Sequence, residues 1–181
     1  MPKIEPILSD RWRAFLVELD GMLPARVELH CLGGFVLGVC YGLPRPTGDV
    51  DYIAAIPQSG AEKVQTLAGA NSTLAKKHGL YFQYVTIADV PEDYEQRVVR
   101  IFARDFVNLC LSAVEAHDLV LSKLCRNHPK DLEDAKFLAA AGWIKSETFR
   151  KRYREELRPN IVNERRHDLT LQLWLDACFG T

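Results

Sequence analysis

The feature that most restricts the fold of this chain is the stretch of residues 31–56, which reads CLGGFVLGVCYGLPRPTGDVDYIAAI. Two aspartates, Asp49 and Asp51, stand one residue apart where the apolar residues around them otherwise predict a buried strand. An isolated buried carboxylate is strongly unfavourable unless it is paired, hydrogen-bonded or bound to a cation. Either this strand has a face that is not buried, or the two aspartates hold a metal ion.

The spacing of the two aspartates favours a metal. Residues i and i+2 of a strand point to the same side, so Asp49 and Asp51 present both carboxylates together while Val50 faces the other way. Like charges this close repel each other unless a cation lies between them. Mg²⁺ suits such a pair, because it prefers oxygen ligands and commonly takes one or two carboxylates together with substrate phosphates. A solvent-facing edge strand is the alternative interpretation.

The residues before the aspartates predict a phosphate site. Gly33 and Gly34 lie where a strand gives way to a short apolar helix, and glycines at such a turn let backbone N–H groups approach phosphate oxygens. Arg45 and Thr47 add a cation and a hydroxyl beside the carboxylates. Together these residue types indicate phosphoryl transfer, in which the protein supplies mainly positioning and metal electrostatics. A plain tight turn is the alternative for the paired glycines.

Composition narrows the class of protein further. With 181 residues, 48% of them hydrophobic, the chain suits one domain or a core with a small appendage. Its net charge of −1 gives the chain no overall electrostatic attraction to nucleic acid. The five cysteines lie among apolar residues and form no C-x-x-C motif, so we expect reduced thiols, no disulfide and no zinc. Neither a signal-peptide region nor a membrane-spanning run is visible, so we expect a soluble cytoplasmic protein without a membrane partner.

Hydrophobic periodicity predicts an α/β region followed by helices. We expect mixed α/β structure over residues 1–116 and a helical region over residues 117–181. The predicted elements of the first part are a helix from Ser9 to Pro24, strands at 26–32 and 49–56, one helix over 60–78, a strand at 80–87 and a hairpin of 97–102 with 106–114. Those of the second part are helices over 118–126 and 129–142, one after Ser146, and a last one from about Asn160 with Leu169, Leu173 and Trp174 on one face.

Two segments resemble a known superfamily. GGFVLGVCYGLPRPTGDVDYI resembles the nucleotidyltransferase signature, in which Gly-Gly or Gly-Ser is followed by a helix and Asp-x-Asp, and it is most similar to the branch with the AbiEii-type toxins, the MenT toxins and related uncharacterised bacterial proteins. The branch's Gly-Gly-x-x-Leu and Arg-x-Thr-x-Asp-x-Asp are matched in order by Gly33, Gly34, Leu37, Arg45, Thr47, Asp49 and Asp51. Its later helix and Lys-Asp-x-x-Asp segment are matched within HDLVLSKLCRNHPKDLEDAKFL by Lys123, Arg126, Lys130, Asp131 and Asp134.

The resemblance implies a fold, an activity and a set of site residues. The implied fold is α/β with a nucleotidyltransferase-like sheet and a C-terminal helical region that completes the cleft. The implied activity is Mg²⁺-dependent transfer of a nucleotidyl group from an NTP to a hydroxyl of tRNA, protein or a small molecule, in a toxin–antitoxin or phage-defence setting with an antitoxin or toxin partner. By resemblance, the catalytic residues are Asp49, Asp51, Lys123 and Asp131, of which the first two bind the metal, and the nucleotide-binding residues are Gly33, Gly34, Arg45, Thr47 and Lys123.

The chain departs from many nucleotidyltransferases in one respect. These enzymes place a third carboxylate on the next core strand, as base for the incoming hydroxyl, whereas LYFQYVTI offers only Gln83 and Thr86 there. Asp131 is one candidate to compensate. The missing acid also favours a second hypothesis, a non-catalytic nucleotidyltransferase-like module that binds nucleotide or a protein partner.

Three further features have simpler interpretations. His30, alone on the polar side of its strand, is interpreted as structural, because no Cys–His–acid set accompanies it. Asp134 is expected to complement the dipole of the helix that starts at Pro129. The run RKRYREELR at 150–158 would suit RNA binding, but its interleaved glutamates favour a solvated helix face.

Overall fold

The computed structural model describes residues 3–180, which form two units. The first unit is made of residues 4–87 and 98–113, and the second of residue 3 with 88–97 and 114–180. The first unit contains the elements α1 (Asp10–Met22), β1 (Val27–Leu32), α2 (Gly33–Tyr41), β2 (Asp49–Ile56), α3 (Ser59–Ala68), α4 (Thr73–His78), β3 (Tyr81–Tyr84), β4 (Val99–Ile101) and β5 (Leu109–Ala113). The second contains α5 (Ala116–Arg126), α6 (Pro129–Ala140), α7 (Ser146–Arg152) and α8 (Glu164–Phe179), with short 3₁₀ turns at Tyr94–Arg97 and Arg158–Asn160 and a π-helical turn at Tyr153–Leu157.

The five strands form one mixed sheet in the order β3-β2-β1-β5-β4. β1 pairs antiparallel with β2 and parallel with β5, β2 pairs parallel with β3, and β4 pairs antiparallel with β5. The last pairing confirms the predicted hairpin. A mixed α/β chain with a small sheet flanked by helices, as predicted from the sequence, is therefore the observed fold class.

The two faces of the sheet differ in chemistry, because side chains alternate along each strand. One face is apolar and carries side chains with no exposed surface, among them Leu29, Val50, Phe82 and Leu111. Directly paired residues of neighbouring strands point to the same side, so the register places the polar residues together on the other face. This polar face carries Glu28, His30, Asp49, Asp51, Gln83 and Ser112.

The single helix predicted over 60–78 is wrong, since the chain forms α3 and α4 there. α3 ends at Gly69, whose backbone is extended (φ −68°, ψ 167°). Ser72 then starts α4 as its N-cap, and its side chain accepts a hydrogen bond from the Ala75 N–H (3.0 Å). The N-cap bond satisfies a donor that a continuous helix would have paired internally, so a new helix start is stable here.

The start predicted for the last helix is wrong, and so is the common face predicted for its apolar residues. α8 begins at Glu164 rather than near Asn160, and Leu169 and Leu173 are 64% and 65% exposed. The face that packs inward carries His167, Thr170, Leu171, Trp174 and Leu175. The large ring of Trp174 is 2% exposed, and the residues that share its helical stripe are buried with it.

An ion-pair network explains why residues 88–97 belong to the helical unit. Asp118 on α5 is fully buried, and its carboxylate pairs with Arg97 Nε (2.8 Å) and with Arg152 Nη1 of α7 (2.9 Å). Arg152 Nη1 also pairs with Glu115. Burial would raise the pKa of Glu115, but the His117 hydrogen bond and the charge of Arg152 lower it to about 2. The network ties the Tyr94–Arg97 turn to α5 and α7.

The basic run at 150–158 is only partly the solvated face that its glutamates predict. Lys151 and Glu155 are exposed and lie 3.9 Å apart, as such a face requires. Arg152 instead joins the network described above, and Arg158 Nε pairs with Asp168 Oδ1 at 2.9 Å. Two of the run's cations are therefore neutralised by neighbouring carboxylates rather than offered to an RNA backbone.

The remaining composition-based expectations concern thiols and membranes. All five cysteines are free thiols, of which Cys31, Cys40 and Cys110 are buried. Across residues 3–180, the helices are too short or too polar for any of them to cross a bilayer.

Candidate active site

The two aspartates occupy the start of β2. Asp49 and Asp51 are half-buried on the polar face of the sheet, while Val50 between them has no exposed surface. Thr47 Oγ1 donates a hydrogen bond to Asp49 Oδ1 (2.5 Å), which fixes that carboxylate from the preceding loop. The predicted pair of carboxylates on one face of a strand is therefore present, with the matched threonine bonded to the first of them.

The paired glycines form the junction of β1 and α2, next to the second aspartate. Gly33 has a left-handed backbone (φ +75°), and a Cβ placed there would collide with Asp51 Oδ2. A Cβ on Gly34 would come within 3.2 Å of Thr47. Both glycines thus let the first turn of α2 approach the carboxylate site closely, and their contact with phosphate stays a prediction.

Replacing Gly33 by alanine should destabilise the protein more than the same change at Gly42. Gly42 has nearly the same backbone (φ +74°), so both variants carry the cost of an alanine at positive φ. A Cβ added at Gly42 would meet nothing within 4 Å, so Gly42→Ala adds no collision. We expect Gly42→Ala to lower the free energy of unfolding by about 1 kcal/mol, and Gly33→Ala by about 1–3 kcal/mol more because of the collision with Asp51. Urea denaturation measures both; equal losses would show that the approach to Asp51 is not tight.

β3 supplies two residues of the site, one of which the sequence analysis did not single out. Gln83 lies directly opposite Asp51, and Tyr81 lies directly opposite Asp49. Burial and the charges of Asp49 and Asp51 raise the pKa of the Tyr81 phenol, so it stays a neutral hydrogen-bond donor. Thr86, the other residue considered for this strand, lies beyond its end.

The chemistry of this donor set fits Mg²⁺. Across residues 3–180 no group of three or more His, Cys, Asp or Glu side chains could hold a metal by itself. A pair of half-exposed carboxylates is nevertheless what Mg²⁺ commonly takes from a protein, the other ligands being water and substrate phosphates. Asp49 and Asp51 would be the protein ligands of such an ion.

The residues matched by the second segment of the resemblance form a cluster in the helical unit. Lys123 on α5 is 8% exposed, and its Nζ pairs with Asp131 Oδ1 (3.3 Å) and Asp134 Oδ2 (3.0 Å) of α6. Asp134 therefore has a more specific partner than the helix dipole expected for it. The placement of Lys123 and Asp131 beside Asp49 and Asp51 stays a prediction, as does the role of Arg45, which lies on the exposed loop before β2.

Asp131 is held by more than Lys123. It accepts hydrogen bonds from Arg126 Nε (2.9 Å) and Nη2 (2.5 Å) and from the His128 N–H (3.1 Å). Burial would raise the pKa of Asp131, but these bonds and the two cations lower it below its usual range. Its carboxylate is therefore stabilised in the charged form and is a weak proton acceptor.

A mixed sheet with Asp-x-Asp at the start of one strand, beside a glycine turn and the helix that follows it, defines a nucleotidyltransferase-like core. Comparison with protein families agrees. A family model described as "nucleotidyltransferase of unknown function (DUF6036)" matches residues 17–176, and the chain belongs to this family. Comparison with curated proteins and with solved structures gave no significant match.

Proposed function

We propose that the protein is a Mg²⁺-dependent nucleotidyltransferase that moves a nucleotidyl group from an NTP to an acceptor hydroxyl. The observation that carries this proposal is the pair Asp49 and Asp51 on one open face of β2, with the glycine turn of α2 against Asp51. Membership of a nucleotidyltransferase family supports it. The resemblance to the AbiEii and MenT branch supports a cytoplasmic role in a toxin–antitoxin or phage-defence pair, acting on tRNA, a protein or a small molecule.

In this reaction the acceptor oxygen forms a bond to the α-phosphorus of the NTP, and the bond to pyrophosphate breaks. The bound cation would neutralise phosphate charge and hold the triphosphate in place. Asp49 and Asp51 would hold that cation, and Thr47 keeps the Asp49 carboxylate in position through its hydrogen bond. The backbone N–H groups at Gly33 and Gly34, at the start of α2, would donate hydrogen bonds to phosphate oxygens. Arg45 and Lys123 would offset the charge that develops on the phosphates.

Labelling of an acceptor tests the proposal. Purified protein is incubated with Mg²⁺, cell extract and each of the four α-³²P-labelled NTPs in turn, and the RNA and protein fractions are then separated. We expect the wild type to label one fraction, and the variant with Asp49→Asn and Asp51→Asn to label none. Omission of Mg²⁺ should have the same effect as the double substitution.

Two other outcomes are informative. The absence of a carboxylate on β3 favours a non-catalytic nucleotide-binding module as the second candidate. That module would bind Mg²⁺ and NTP without labelling either fraction, and this result would replace the proposed reaction. Salt-dependent RNA affinity without binding or turnover of any NTP would instead indicate an RNA-binding protein and overturn both candidates.

A further inference from the structure

A polar cluster on the sheet, two of whose three members are buried, has no part in the mechanism above. It consists of Glu28 and His30 on β1 and Ser112 on β5, all on the polar face that carries Asp51. Ser112 Oγ donates a hydrogen bond to Glu28 Oε1 (2.7 Å), and His30 Nε2 lies 3.8 Å from the same oxygen. Ser112 is 1% and His30 4% exposed. A carboxylate held by a hydroxyl thus stands beside an imidazole, an arrangement that sequence spacing alone did not reveal.

The strand register puts this imidazole close to the metal-binding carboxylates. Leu32 lies directly opposite Asp51, and His30 is two residues earlier on β1, on the same face and about 7 Å further along the strand. The register of the two strands shifts by one residue at this point, because His30 pairs with Ala54 and Cys31 pairs with Tyr52. The extra residue is Ile53, which belongs to β2 and not to β1. The alternation of β1 is therefore unbroken between His30 and Leu32.

The proposed reaction needs a proton acceptor for the attacking hydroxyl. Gln83 cannot supply it, because an amide side chain opposite Asp51 does not take up a proton near neutral pH. Asp131 is a poor choice, because Arg126 and the His128 N–H already bind both of its oxygens. Histidine is the side chain that most often acts as a general base, and an adjacent carboxylate commonly orients it.

We propose that His30 is the general base of the nucleotidyl transfer and that Glu28, held by Ser112, is a positioning residue that orients the imidazole. His30 takes the proton of the acceptor hydroxyl as the acceptor oxygen bonds to the α-phosphorus and the bond to pyrophosphate breaks. The positive charge left on the imidazole is then stabilised by the Glu28 carboxylate. This inference rests on the nucleotidyltransferase function proposed above.

The test compares His30→Gln and Glu28→Gln with His78→Gln. His78 on α4 is a matched control, because its Nε2 pairs with Glu18 Oε2 (2.8 Å) away from the sheet's polar face. The labelling rate is measured as above, and binding of Mg²⁺ with each α,β-methylene NTP is measured by calorimetry. We expect His30→Gln to lower the rate about 10²–10⁴-fold and Glu28→Gln about tenfold, with dissociation constants within about threefold of wild type. His78→Gln should keep the wild-type rate.

Added imidazole separates a base from a structural residue. With His30→Ala, we expect added imidazole to raise the rate at least about tenfold, because the free base can take the place of the missing side chain. The inference is overturned when both His30 variants unfold, when rate and binding fall together without rescue, or when His30→Gln labels as fast as wild type while the Asp49 and Asp51 double variant is inactive. A wild type that labels no acceptor would overturn the proposed function itself, and this inference with it.

Discussion

Replacing Asp49 and Asp51 together by asparagine is expected to abolish Mg²⁺-dependent NTP binding and to leave the fold intact. Asparagine keeps the size of the side chain, and its oxygen can still accept the hydrogen bond from Thr47. It removes the two negative charges that would hold the cation. The carboxylates lie on the same face and repel each other when no cation is present, so the melting temperature of the metal-free variant should equal or exceed that of wild type.

Ligand-dependent stability gives this prediction a clear measurement. A ligand that binds only the folded state at 100 times its dissociation constant stabilises a protein by about 2.7 kcal/mol. We therefore expect Mg²⁺ with an α,β-methylene NTP to raise the melting temperature of wild type and to leave that of the double variant unchanged. Calorimetry should show saturable binding to wild type and no measurable heat with the variant.

A second double variant controls for the change in net charge. Asp105 pairs with Arg13 at a partly exposed site of the first unit, and Asp176 lies on the exposed side of α8, so asparagine at both positions removes the same two charges elsewhere. This control should bind nucleotide as wild type does. An unfolded Asp49 and Asp51 variant would show instead that the two aspartates are structural and that their strand carries no metal site.

The parts of the fold that were predictable from the sequence are those set by short-range pattern. The alternation of residues 27–32 predicts β1, and paired glycines followed by an apolar run predict the turn into α2. The i, i+2 spacing was enough to place Asp49 and Asp51 on one face, because it depends only on the pleat of a single strand. The break between α3 and α4 also has local causes in Gly69 and Ser72, so the single helix predicted there was a misinterpretation of signals the sequence contains.

The other site residues depend on strand pairing, which sequence spacing does not specify. Tyr81 faces Asp49 only because β3 pairs with β2 in one particular register, and Ser112 meets Glu28 only because β5 pairs with β1. His30 could be assigned to the polar side of its strand from alternation alone. That this side is also the face of Asp51 follows only from the β1–β2 register, which the spacing of residues in the sequence does not reveal.

Replacing Lys123 is the second change expected to have a large effect, which is a loss of stability. Its Nζ pairs with two carboxylates that are each 1% exposed, those of Asp131 and Asp134. Removing one partner of a buried ion pair leaves uncompensated charge and typically costs about 3–5 kcal/mol. We therefore expect Lys123→Met to lower the free energy of unfolding by about that amount, although methionine has a similar length and suits a buried site.

Two further variants make the cause of this loss explicit. Lys136→Met removes a lysine from an exposed pair with Glu133 on α6 (3.1 Å), and should change stability by no more than about 0.5 kcal/mol. Asp131 keeps its hydrogen bonds to Arg126 when Lys123 is replaced, whereas Asp134 loses the Lys123 ion pair. Adding Asp134→Asn to Lys123→Met removes that second buried charge, so part of the stability should return. Urea denaturation of the four proteins, wild type included, shows how much of the loss depends on the charge of Asp134.

The same variant separates the structural role of Lys123 from the phosphate contact that the resemblance implies. An ammonium group held by two buried carboxylates contributes to the fold whether or not a nucleotide is bound, so its loss should lower stability in the absence of NTP. If Lys123→Met is as stable as wild type and loses only NTP binding, the ion pairs contribute little and the lysine acts on the nucleotide. If stability falls by several kcal/mol while the folded fraction still binds Mg²⁺ and NTP with wild-type affinity, Lys123 organises α5 and α6, and the phosphate charge must be met by other cations such as Arg45.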